Sequence, residues 1–187
     1  MKWRIDFRIW HWLHALVILG LLGTVFLRKT FLSWRANSEI LTEKLFDMDI
    51  DVTLEQAKIL AKSIRAPMWD WHIYLGYALA ALLLYRIVLF YTHKKEKEER
   101  SLHKKMVKFS YLGLYALLGF MTVSGFEIHF YKELGISKDL THTVKEIHEF
   151  AYNLVMIFVV VHLAGVFVAE NTDEKGIVSD MIHGGKS

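Results

Sequence analysis

Two histidines lie fourteen residues apart on one apolar segment, "HEFAYNLVMIFVVVH", residues 148–162. Fourteen residues make close to four turns of an α-helix, so the side chains of His148 and His162 leave nearly the same face. The rise between them is about 21 Å, which is most of the roughly 30 Å hydrocarbon core of a bilayer. Because imidazole is a common metal ligand, the spacing predicts two ligation sites at two depths of a membrane.

The composition excludes several kinds of metal site and indicates a membrane protein. The chain has 187 residues, 53% of them hydrophobic, and a mean hydropathy of +0.26. It contains no cysteine, which excludes disulfides, iron–sulfur clusters, thiolate zinc sites and covalent c-type haem. A metal in this protein must therefore be held by histidine, carboxylate or methionine.

Four apolar runs of about twenty residues are each long enough to cross a bilayer as a helix. They comprise residues 9–27, 69–91, 107–130 and 147–169. The first run is not interpreted as a signal peptide, because its apolar part is too long and no small-x-small cleavage site follows. The sequence therefore predicts an all-α integral membrane protein, a four-helix bundle in which residues 1–187 form a single domain.

The basic residues predict the orientation of this bundle. Lys2, Arg4 and Arg8 precede the first span, and residues 92–108, "THKKEKEERSLHKKMVK", hold seven Lys or Arg. The positive-inside rule then places both termini and this loop in the cytoplasm and the long loop 28–68 outside. Within that outer loop, residues 53–65 have a capping-box sequence and an apolar stripe, which predict an extra amphipathic helix on the membrane surface or against a partner.

The orientation sorts four span histidines into two pairs. His11 and His162 fall near the inner face, and His72 and His148 fall near the outer face. Two imidazoles that face each other across a helix bundle form a bis-histidine axial site for haem iron. The inner pair and the outer pair are therefore predicted to bind one haem iron each. Zinc is a weaker alternative, because it would require further ligands at each level.

Other residues near these levels have two or more interpretations. Gly76, one turn after His72, either lets a flat macrocycle approach or eases helix packing. Arg86 either pairs with haem propionates or extends to the cytoplasmic interface. His14 is an alternative ligand, a quinone hydrogen-bond partner or a packed polar residue. His129 lies either near the outer haem or, as we favour, at the interface.

Several segments, taken in order, resemble the bacterial cytochrome b561 family. They are "RIWHWLHAL", "WDWHIYLGYALAALLLYRI", "GFMTVSGF" and "IHEFAYNLVMIFVVVH". The resemblance is closer to the cytochrome b subunit of membrane-bound nickel–iron hydrogenases, whose C-terminus is similar to the tail "GIVSDMIHGGKS". Two departures are a shorter cytoplasmic loop between spans two and three and an enlarged outer first loop, which leaves the identity of a docked partner open.

The resemblance implies a membrane cytochrome with two non-covalent b haems, whose ligands fall on His11, His72, His148 and His162. It implies electron transfer between the quinone pool and a periplasmic redox partner, such as a hydrogenase. It also implies a multi-pass protein of the bacterial inner membrane. No nucleic-acid partner is expected, and a homo-oligomer is left open.

Two other functions are weighed against electron transfer. Some small relatives oxidise superoxide and pass the electron to quinone without a docked protein, which would require a cationic funnel at the outer haem. Acidic residues interrupt the basic ones in the first loop, so this function ranks second. A transporter or structural anchor with packed histidines ranks third, because four histidines at two matched depths are hard to explain by packing.

Overall fold

The computed structural model describes residues 3–92, 102–172 and 175–184, and within those ranges it contains helices and no strand. The six helices follow in chain order: α1 (Ile5–Lys29), α2 (Trp34–Phe46), α3 (Leu54–Thr92), α4 (Leu102–Phe130), α5 (Lys138–Asn171) and α6 (Ile177–His183). The all-α prediction is confirmed for these ranges.

Four of the helices are long and apolar enough to cross a membrane. They are α1, α3, α4 from Met106 onwards, and α5, and they contain the four predicted spans. Large apolar side chains such as Leu16, Val123 and Phe167 are 63%, 70% and 71% exposed. Apolar exposure at so many positions is rare in soluble monomers and is what lipid contact requires.

The capping box predicted in the first loop is present at the start of α3. The backbone N–H of Thr53 donates to Gln56 Oε1 at 2.8 Å, and the N–H of Gln56 donates to Thr53 Oγ1 at 3.3 Å. This helix does not stop at Pro67 but continues to Thr92. The stretch predicted as a separate amphipathic helix is thus the first part of the helix that carries the second span.

The chain divides into two compact units. One unit comprises Met1–Leu16 and Tyr77–Ser187, and within it α4 packs along α5 and α6 packs on α5. The other unit is Val17–Gly76. In that unit α1 and α3 approach closely, because a Cβ built on Gly20 would lie 3.0 Å from Leu75 Cδ1.

The short helix α6 is capped at its start by a side chain from the end of α5. The carboxylate of Glu170 accepts hydrogen bonds from the backbone N–H of Gly176 at 2.9 Å and of Val178 at 3.1 Å. These are two of the donors that a helix N-terminus leaves without an intrahelical partner. Glu170 therefore holds α6 in a defined position relative to α5.

The other end of α6 is attached to α1. Arg8 Nη1 donates to the carbonyl of Ile182 at 3.0 Å, and Trp12 Nε1 donates to the carbonyl of Met181 at 3.3 Å. Gly184 ends the helix with φ +91°, and a Cβ there would lie 2.8 Å from Arg8 Nη1. A side chain at Gly184 would therefore disturb both the backbone and the contact with Arg8.

We expect Gly184→Ala to loosen α6, because alanine costs about 1–2 kcal/mol in the left-handed region and its Cβ would displace Arg8. Limited proteolysis in detergent should cut the variant faster between α5 and α6 than the wild type. Gly135→Ala is the matched control, since Gly135 also has positive φ but its Cβ would meet no described atom within 4 Å. Equal cleavage of the two variants near α6 would contradict the role of the Arg8 contact.

Candidate functional site

The predicted inner histidines lie next to each other in the unit that contains both. The ring centres of His11, on α1, and His162, on α5, are 6.3 Å apart, and the ring planes are inclined by 61°. Both side chains are half-buried. The structure therefore brings together the inner pair that the depth argument selected.

The separation of these rings fits one metal ion between them. A metal–imidazole nitrogen bond is about 2 Å long, so two imidazoles on opposite sides of one ion have ring centres about 6 Å apart. The inclination of the rings is compatible with this arrangement, since each ring can turn about its own metal–nitrogen bond. Within the described ranges, no group of three or more His, Cys, Asp or Glu could hold a metal ion. A two-histidine site suits haem iron, which supplies its other four ligands from the macrocycle.

Aromatic side chains of α4 and α5 surround His162. The ring of Phe158 lies nearly parallel to the imidazole, at 6.1 Å between centres and an angle of 9°. The hydroxyl of Tyr111 lies 3.4 Å from His162 Nδ1, which is a long contact for a hydrogen bond. These neighbours hold the orientation of the imidazole mainly through packing.

Arg86 lies in an aromatic enclosure in the same unit. Its guanidinium carbon is 5.3 Å from the ring centres of Phe7 and Trp10 and 5.6 Å from that of Tyr115, and its Nε donates to Tyr115 Oη at 3.1 Å. Cation–π contacts of this kind stabilise an arginine in a poorly solvated place. Arg86 is thus a positioned cation in contact with Trp10, the residue that directly precedes His11 in the sequence.

Trp10 is a core residue of the unit that contains His11. Its side chain is 3% exposed, and Nε1 donates to the carbonyl of Leu82 at 2.8 Å. His14 stacks on its indole with 4.7 Å between ring centres. His14 is 7% exposed, and its Nε2 has no hydrogen-bond partner among the described residues. The stacking favours packing for His14, while its buried Nε2 keeps a function as a hydrogen-bond donor or acceptor open.

His148, predicted as an outer ligand, is bound by a hydroxyl of α4. Its Nδ1 lies 2.7 Å from Ser124 Oγ, and Ser124 is 3% exposed. Gly125 also lies close to the ring, because a Cβ there would come within 3.4 Å of His148 Cε1. The imidazole is therefore fixed through Nδ1, and its Nε2 is the atom left for a ligand.

His72 is held in the same way within the other unit. Its Nδ1 lies 2.7 Å from Thr24 Oγ1, and Thr24 is 7% exposed. Four residues after His72, a Cβ built on Gly76 would meet no described atom within 4 Å. The surface over Gly76 within this unit is thus open, which agrees with either interpretation of this glycine.

The remaining histidines are peripheral or outside the described residues. His129 is exposed at the end of α4 and contacts Phe130, with 4.5 Å between ring centres, as an interfacial residue would. The residue His93 and the side chain of His103 lie outside the described part of the chain.

Glu127 lines an apolar cavity of about 360 Å³ on α4, and its Oε1 accepts a hydrogen bond from the hydroxyl of Thr141 at 3.2 Å.

Three residues of this region escaped the sequence reasoning, namely Thr24, Ser124 and Tyr115. A hydroxyl inside an apolar run is a detectable signal, because an intramembrane polar group needs a partner. For Thr24 and Ser124 that signal was available but did not show which histidine each would meet. Tyr115 gave no signal, since tyrosine is common in such helices.

Comparison with protein families found one match, which spans nearly the whole chain. The model of the family described as prokaryotic cytochrome b561 matches residues 2–184. No curated protein and no solved structure matches the chain.

Proposed function

We propose that the chain binds two b haems, because it belongs to the prokaryotic cytochrome b561 family. A member of this family is a multi-pass membrane cytochrome b that transfers electrons through haem. His11 and His162 would hold the inner haem iron, and His72 and His148 would hold the outer haem iron. In this proposal electrons pass between the quinone pool and a redox partner outside the inner membrane of a bacterium.

The 6.3 Å between the ring centres of His11 and His162 is the observation that carries this proposal. Two imidazoles at that distance, in a chain without cysteine, match bis-histidine ligation of one iron. The pairing of His72 with His148 rests on their predicted depth in the sequence. It is supported by the short Nδ1 contact that each of these two histidines makes within its own unit.

The haems supply one-electron redox chemistry when bound, and the protein supplies ligation, burial and charge. Two histidines at each haem iron would leave no iron position for dioxygen, which suits outer-sphere electron transfer. The Arg86 guanidinium provides a fixed positive charge at the inner level, suited to pair with propionates. The ring of Phe158, stacked on His162, gives apolar cover to one member of the inner pair.

Arg86→Gln is expected to lower the midpoint potential of the inner haem. A nearby cation disfavours the ferric state, so its removal favours that state by about tenfold, which corresponds to about 59 mV for one electron. Redox titration of the purified protein measures the shift, and Arg86→Lys, which retains the charge, should lie between the two. A potential that stays unchanged in Arg86→Gln would place this arginine away from the haem.

The first test of the proposed function is a reduced-minus-oxidised optical spectrum together with a pyridine haemochrome count. We expect two b haems per chain and their reduction by a quinol in detergent or in liposomes. A count of one would contradict one of the two pairs. A folded preparation without haem would contradict the whole proposal.

The alternative of a stand-alone superoxide oxidase is not favoured by the outer-loop charges. Lys44 contacts the carboxylates of Glu43 at 2.8 Å and Asp47 at 3.0 Å, and Lys58 contacts Glu55 at 2.6 Å. Lysines neutralised in this way contribute little to a cationic funnel. Purification discriminates the two functions, because a partner-dependent subunit should co-purify with a redox protein and a stand-alone oxidase should not.

A further inference from the structure

The hydroxyls of Thr24 and Ser124 each lie within hydrogen-bond distance of at least one backbone carbonyl oxygen in the preceding helical turn and of a histidine nitrogen. Ser124 Oγ lies 2.7 Å from the carbonyl oxygen of Phe120 and 2.7 Å from His148 Nδ1. Thr24 Oγ1 lies 2.6 Å from the carbonyl oxygen of Leu21 and 2.7 Å from His72 Nδ1. The same arrangement therefore occurs once in each unit.

The carbonyl contact determines where the hydroxyl proton lies. A carbonyl oxygen has no proton, so the short contact with Phe120 or Leu21 uses the single proton of the hydroxyl. The hydroxyl can then only accept a hydrogen bond from the imidazole. His148 and His72 then carry their proton on Nδ1, so that Nε2 is the unprotonated nitrogen, the form in which imidazole ligates a metal.

We propose that Thr24 and Ser124 are positioning residues that hold His72 and His148 as Nε2 ligands and make the outer haem the one of lower potential. This inference rests on the proposed function, in which these two histidines ligate one haem. A hydrogen bond from the Nδ1–H makes an imidazole a stronger electron donor, and a stronger donor stabilises the ferric state.

Among the described residues, His162 of the inner pair has no equivalent short contact. The hydroxyl of Tyr111 lies 3.4 Å from His162 Nδ1, compared with 2.7 Å for each outer histidine. The inner level also contains the Arg86 guanidinium, whose charge favours the ferrous state. Both differences give the inner haem the higher potential, so electrons move downhill from the outer haem to the inner one.

The test is a redox titration of the haem-loaded full chain with Thr24→Val and Ser124→Ala. In each variant we expect the lower of the two midpoint potentials to rise by about 59 mV. This corresponds to a tenfold change in the ferric–ferrous equilibrium constant for one electron. The higher potential should not move, and the affinity for the outer haem should fall 10- to 100-fold. The low-spin ferric electron paramagnetic resonance signal of the same haem should shift as well.

Thr122→Val is the matched control for Thr24→Val. Thr122 is on α4, and its Oγ1 donates to the carbonyl of Leu118 at 2.9 Å. Among the described residues, this hydroxyl makes no hydrogen bond to a histidine. The conservative variants Thr24→Ser and Ser124→Thr keep the hydroxyl and should restore the wild-type potential. Ser124→Ala could lose the outer haem altogether, and Ser124→Thr then decides. Retention of the outer haem by Ser124→Thr supports the inference, and loss of that haem from both variants counts against it.

Three results would overturn the inference. They are an unchanged lower potential in both hydroxyl variants, a shift of the higher potential instead, or the same shift in Thr122→Val. A wild-type preparation with fewer than two haems would contradict the proposed function itself. Two haems whose potentials do not respond to these hydroxyls would contradict only the positioning role.

Discussion

Replacing His162 by leucine is expected to reduce the haem content from two per chain to one. The ring of His162 lies 6.3 Å from that of His11 between centres, and leucine cannot coordinate iron. The side chain of Phe158 already borders this position, so an apolar replacement should be accommodated without unfolding. A pyridine haemochrome count on the purified variant measures the loss.

Two further variants make this result specific to the inner pair. His148→Leu should also leave one haem per chain. Because this variant removes an outer ligand, the haem that remains should be the inner one, and its midpoint potential should differ from that of the haem left in His162→Leu. His129→Leu is the control, because His129 is an exposed span histidine, and it should retain both haems. Retention of two haems by His162→Leu would disprove the assignment of the inner pair and would direct attention to His14.

Trp10→Ala is expected to cause the largest loss of stability among single substitutions at the site. The indole is 3% exposed, stacks on His14, and lies under the Arg86 guanidinium. Truncation of a buried tryptophan to alanine costs about 3–5 kcal/mol. Thermal unfolding in detergent, followed by helical circular dichroism, should show a transition temperature lower by about 10 °C.

The contribution of the Trp10 hydrogen bond can be separated from that of its ring. Trp10→Phe keeps an aromatic ring but loses the donor to the Leu82 carbonyl, and should cost about 1 kcal/mol for that bond. Trp71→Ala is the control, because Trp71 is 66% exposed and contributes little packing. A Trp10→Ala variant as stable as Trp71→Ala would show that the indole is not part of the core.

The apolar spans could be predicted from sequence because hydropathy alone determines where lipid can contact a helix. The third predicted span and α4 both end at Phe130. The helices extend beyond the spans where polar residues continue them. For instance, α5 begins at Lys138, after Ser137 caps it by accepting from the N–H of Leu140 at 3.3 Å. Hydropathy cannot detect such polar turns.

The site was predictable where periodicity determines depth and unpredictable where contacts join distant segments. The meeting of His11 with His162 follows from depth and orientation. The enclosure of Arg86 by Phe7 and Tyr115 depends on how helices rotate about their axes, which an apolar run without a polar face does not define. The helix α2, Trp34–Phe46, was also missed, because no clear apolar stripe marks its sequence.

The hydrogen bond between Arg8 and Ile182 connects residues that are 174 positions apart, and this separation determines when the contact can form during synthesis. A ribosome adds about 5–20 residues per second, so the α1 end of the contact waits roughly 9–35 s for its α6 end. His11 likewise waits for His162. During biosynthesis neither of the two proposed histidine pairs can therefore be completed before α5, which carries His148 and His162, has been made.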